Sequence, residues 1–140
     1  MACLNRKGNA KYEHGTFVQR RVMMSLAWRA MPPKAQMLYI WLRLEWKGAR
    51  FNNNGFIRLS YRQAAARLGI GVNAAMGAFH ELQAKGFIIV TRLGALGVEG
   101  EARGPTYELT DIGLPQKTPK HLYREWKPGS DFEIKRHNTT

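Results

Sequence analysis

The sequence predicts an α+β fold, mainly α, with a small three-stranded antiparallel sheet. Apolar residues recur at three- and four-residue spacing over residues 33–46, 61–68 and 72–85, as helices with one packing face require. Gly69-Ile70-Gly71 makes a tight turn between the last two of these segments. Two β-branched and aromatic runs, 87–91 and 106–110, then flank a glycine-rich stretch.

Residues 1–15 are polar, basic and aperiodic, and are expected to form a flexible arm. Phe17, Val18, Val22, Leu26 and Trp28 suggest a short helix or an extended docking segment that breaks before Met31-Pro32-Pro33. Pro33 is suited to the first position of a helix, where its missing N–H costs nothing. In that helix Ala35, Leu38, Trp41 and Leu42, with Tyr39 as a further candidate, are expected to face the core, while Lys34, Gln36, Arg43 and Lys47 point outward. Asn52-Asn53-Asn54-Gly55 is read as a turn because Asn and Gly tolerate positive φ.

Ile57 and Leu59 alternate around Arg58, which fits a brief strand. Ser60 is an N-cap for residues 61–68, with Ala64, Ala65 and Leu68 on the packing face. A second helix runs from about Val72 to Lys85 and is closed by Gly86. Two helices joined by this turn form a helix-turn-helix, and the two strands with their glycine-rich loop, 92–105, form a wing. The order helix, strand, helix, helix, strand, strand is that of a winged helix-turn-helix, placed at residues 16–112. Residues 113–128, with Leu122, Tyr123 and Trp126, read as a C-terminal strap, and residues 129–140 as a disordered tail.

Charge points to the partner. The 140 residues carry 22 Lys+Arg against 10 Asp+Glu, a formal net charge of +12, which favours a polyanion. Residues 1–50 hold ten Lys/Arg against two acids, so the basic surface is weighted toward the N-terminal third. The longest apolar run, 37–42, is far short of the roughly 20 residues that span a bilayer, so no membrane association is expected. The N-terminus lacks an apolar signal-peptide core, and Cys3 is the only cysteine.

The string Ser60-Tyr61-Arg62-Gln63-Ala64-Ala65-Ala66-Arg67-Leu68-Gly69-Ile70, followed by Ala75, Phe79, Leu82 and Gly86-Phe87-Ile88, resembles the bacterial winged helix-turn-helix DNA-binding family. The resemblance covers roughly residues 28–110 and is similar both to MarR-type regulators and to the N-terminal domains of plasmid and phage replication initiators. It implies a cytoplasmic, nucleoid-associated bacterial protein that binds double-stranded DNA as a transcriptional regulator. The alternatives are a replication-initiation or mobile-element DNA-binding protein, or a winged-helix protein-interaction module.

In such a domain the helix after the turn enters the major groove with its N-terminal residues at the base edges. Those positions fall here on Val72, Asn73, Ala74, Met76, Gly77 and His80. Asn73 has the donor–acceptor pair that suits adenine, or else caps the start of its own helix. The helix carries no Arg or Lys before Lys85, so phosphate contacts are assigned to Arg58, Tyr61 and Arg62, to Arg92 and Arg103 in the wing, and to Arg6, Lys7 and Lys11 in the arm. The neutral helix face also suits a protein partner. A homodimer through residues 17–31 or through the strap is expected by analogy alone.

No catalytic constellation is legible. Gly69-Ile70-Gly71-Val72-Asn73-Ala74 matches a dinucleotide-binding string but follows a helix instead of a strand. His14, His80, His121 and His137 are scattered and have no metal-ligand spacing. The expectation is no enzyme, no metal and no cofactor.

Overall fold

The computed structural model describes residues 2–4, 10–12, 14–93 and 104–136. The chain is α+β and mainly helical, and no described helix is long and apolar enough to cross a membrane. Strands β1 (Ala2–Leu4) and β2 (Ala10–Tyr12) pair antiparallel, so the stretch read as a flexible arm contains a small ladder. The helices are α1 (Arg20–Met23), α2 (Leu26–Ala30), α3 (Pro33–Glu45), α4 (Tyr61–Leu68) and α5 (Val72–Ala84). Strands β3 (Ile88–Arg92) and β4 (Thr106–Leu109) follow, and a 3₁₀ turn spans Leu122–Glu125.

Local chemistry explains the helix ends. Ser25 caps α2 by accepting from the Trp28 amide at 3.2 Å, and Pro33 stands in the first turn of α3. At α4 Ser60 and Gln63 form a reciprocal capping box, each side chain accepting from the other's backbone N–H at 3.0 Å. The end of α5 is a Schellman motif: Gly86 N–H donates to Gln83 C=O and Phe87 N–H to Leu82 C=O, at 3.0 and 2.9 Å. Gly86 has φ +82, and a Cβ there would stand 2.7 Å from Phe132 and 2.9 Å from the Leu122 backbone. Only glycine meets both demands.

The core lies between α3, α5 and the β3–β4 sheet. Trp28, Tyr39 and Phe87 meet edge to face with centroids 5.3–5.7 Å apart, while Phe79 stacks on Tyr107 and Phe87 on Tyr123. Tyr123 and Trp126 of the strap are buried in that cluster. Arg43, expected outward, is instead buried and paired with Asp111 just beyond β4. A buried cation needs such a carboxylate, and the spacing along α3 could not announce a partner so far along the chain.

Among the described residues the sheet after α5 has two strands, not three. Ile57 and Tyr107 exchange both backbone bonds, at 3.2 and 2.9 Å, but this is a lone bridge. An antiparallel ladder would next pair Leu59 with residue 105 and residue 55 with Leu109. Residue 105 is Pro, which has no N–H, and Leu109 is already taken. The buried Asn54 side chain accepts from the Leu109 amide at 2.7 Å and donates to the Leu109 and Ile112 carbonyls at 3.0 and 2.7 Å. One side-chain amide thus occupies the position of a strand.

The other asparagines work similarly, and among residues 52–55 only Gly55 has positive φ. Asn53 donates to the last carbonyl of α3, Glu45, and accepts from Lys47 N–H. Asn52 accepts from the Trp46 indole and donates to Gly113 C=O, each at 2.9 Å.

Residues 129–136, read as disordered, run along α5. Phe132 N–H donates to Ala84 C=O at 2.9 Å. The buried Gln83 amide clasps Lys135 at both its N–H and its C=O, at 2.8 and 3.1 Å. Lys85 beneath them stacks on Trp126 and pairs with Glu81 and Asp131. A segment poor in apolar residues is held because its backbone groups find partners on a helix side chain.

Candidate nucleic-acid interface

Among the described residues, those assigned to DNA fall on β2 (Lys11), just before and at the start of α4, on α5 and at the end of β3. A three-residue turn, with Gly69 left-handed at φ +70, joins α4 to α5. Ala75, Ala78, Phe79 and Leu82 of α5 are buried against the rest of the domain. Val72 and Asn73 are exposed, and Ala74, Met76, Gly77 and His80 are half-buried. Asn73, Met76, Gly77 and His80 are spaced by three and four residues and share one stripe along the helix.

Neither α4 nor α5 has an acidic residue in its first turn, so nothing there opposes an anion at the positive end of the helix dipole. No side chain caps α5, so Asn73 does not serve as its N-cap; Gly71 stands in that position.

Arg58 and Arg62 are exposed on either side of Ser60 and Tyr61, at the start of α4. Tyr61 is half-buried against Phe79, ring centroids 5.1 Å apart. Burial raises the pKa of its phenol, an effect partly offset by the nearby Arg136 guanidinium. Arg92 is exposed at the end of β3 and donates to Gly104 C=O at 2.6 Å, across the base of the connection between the strands. Arg103, Arg6 and Lys7 lie outside the described residues. The structure therefore brings together the α4 and α5 residues and leaves Arg92 on a separate element.

Two cations absent from the sequence assignment stand beside the α5 stripe. Lys34 of α3 lies over Gly77, its Nζ 3.9 Å from the place a Cβ would take. Arg136 reaches the same helix further along, with Nη1 3.1 Å from His80 Nδ1. A guanidinium can only donate, so His80 Nδ1 accepts and the imidazole is neutral in this contact. By contrast, Lys85 and Arg43 are buried in ion pairs against the Trp126 and Phe17 rings, and Arg67, though exposed, pairs with Glu45 over the Trp41 ring. The one sequence signal for Arg136 was the alternation of Phe132 and Ile134 in an otherwise polar tail. Lys34 had none beyond its place on α3.

A concavity lies between α3 and residues 111–119, with Phe17 and Trp46 as walls and the Arg43–Asp111 pair in its lining. Tyr39 beside it is fully buried. Desolvation and the Asp111 carboxylate hold its hydroxyl well above the usual phenol pKa, against the pull of Arg43.

Comparison with protein-family models, with curated proteins and with solved structures finds no match to this chain.

Proposed function

We propose that the chain is a winged-helix protein that binds double-stranded DNA and regulates transcription. The observation that carries this reading is the α5 stripe: short neutral side chains able to approach base edges, bordered by the cations Lys34 and Arg136, with Arg62 on the adjoining helix. A major groove about 12 Å wide admits one helix, and its walls are phosphates. Neutral groups in the middle and cations at the margin suit that environment. In this reading α5 is the recognition helix, Asn73 reads a base edge, Arg58, Tyr61 and Arg62 hold phosphate, and the loop between β3 and β4 with Arg92 and Arg103 is the wing.

The test is fluorescence anisotropy with random duplexes and with DNA from upstream of the protein's own gene, each at about 50 and 200 mM salt, a range over which phosphate contacts weaken steeply. Retention of the upstream duplex at the higher salt, lost in Asn73→Ala, is the expected outcome. Release of both duplexes together would reduce the charge to unspecific grip. It would favour instead a protein partner on the neutral face of Val72 and Met76, which Met76→Asp would abolish.

A further inference from the structure

We infer that residues 130–136 are a built arm of the DNA interface, which the fold holds in place to deliver Arg136 to a phosphate at the wall of the groove that α5 enters. This rests on the DNA-binding reading and adds a contact that α5 itself does not supply.

The arm is anchored at three points. Trp126 Nε1 donates to Asp131 at 2.7 Å, Phe132 N–H donates to Ala84 C=O, and Gln83 clasps Lys135 in both directions. Phe132 also packs against Gly86, whose missing Cβ leaves it room. Gln83 is 5 % exposed, so its amide is committed to this clasp and not to solvent. Holding this segment so firmly costs chain entropy that a free tail would keep.

Geometry sets what Arg136 can reach. Residues 132–136 track α5 backwards from Ala84 to His80, covering only the C-terminal half of the stripe and leaving Val72, Asn73 and Met76 clear. His80 is two turns from Asn73, about 10 Å along the axis. With Asn73 at the base edges, a cation at that remove stands near the margin of a groove about 12 Å wide, where the phosphates are. The guanidinium is exposed, and its bond to the neutral His80 aims it without neutralising its charge.

The deciding experiment measures duplex affinity against salt for the full chain and for Arg136→Gln, Arg136→Lys and Gln83→Leu. One phosphate contact contributes about 0.9 to the slope of log K on log salt, and so up to about eightfold in affinity near 0.1 M. Arg136→Gln is expected to lose that factor equally on every sequence and to make the slope shallower by about 0.9. Arg136→Lys should retain most of it, and Gln83→Leu should copy Arg136→Gln although its arginine is intact. An unchanged slope in Arg136→Gln, with the unaltered protein binding normally, would overturn the arm's role while leaving the DNA reading standing. Tighter binding by Arg136→Gln would overturn it by making the arm a cover over α5. No binding by the unaltered protein at about 50 mM salt would overturn both.

Discussion

At the scale of single residues, Asn54 does the work of a short peptide. Its amide satisfies Leu109 at both backbone groups and Ile112 at its carbonyl, inside a core where water cannot substitute. Truncation would orphan a buried N–H, at about 1–3 kcal/mol, and remove two further bonds of about 1 kcal/mol each. Asn54→Ala is therefore expected to lower unfolding free energy by about 3 kcal/mol in urea titration. A loss under about 0.5 kcal/mol would mean that water or a shifted strand replaces the amide. The sequence marks Asn54 as a turn former, which is a local property, whereas Leu109 and Ile112 lie more than fifty residues away. Arg43 was misjudged for the same reason: nothing on α3 encodes Asp111.

Between elements, the turn after α5 is where helix, sheet, strap and tail meet. Gly86 and Gly129 share nearly the same φ, +82 and +83, but a Cβ at Gly129 meets nothing within 4 Å. The pair separates backbone strain from packing. Gly129→Ala should cost only the left-handed penalty, about 1–2 kcal/mol. Gly86→Ala should cost clearly more, because Phe132 and the 3₁₀ turn must also retreat. Equal losses in thermal melts of the two variants would mean that the strap and tail do not press on this turn. The bounds of α3, α4 and α5 were legible because periodicity, Pro33, the capping box and Gly86 all lie within a few residues of the ends they set. The third strand was misread because alternation at Ile57 and Leu59 says nothing of Pro105 or Asn54, which limit the pairing to one bridge.

For the whole molecule, the question is which of the 22 basic residues form one surface. Summed charge favours a polyanionic partner and weights the basic surface toward the N-terminal third, but folding redistributes it. Arg43 and Lys85 turn inward to carboxylates and rings and Arg67 pairs with Glu45 at the surface, while Lys34 from α3 and Arg136 from the tail come to successive turns of the α5 stripe, at Gly77 and His80. The neutral residues of that stripe were readable from the sequence because helical spacing fixes which side chains share a face. Its cations were not, since each belongs to another element. The central claim is that this face meets DNA, and amide chemical-shift mapping of the labelled protein with a duplex at low salt tests it most directly. The account predicts the largest shifts at Tyr61 and Arg62, along residues 72–80 and at Arg136, with little change in α1 and α2. Shifts confined to α1 and α2, or none anywhere, would contradict it.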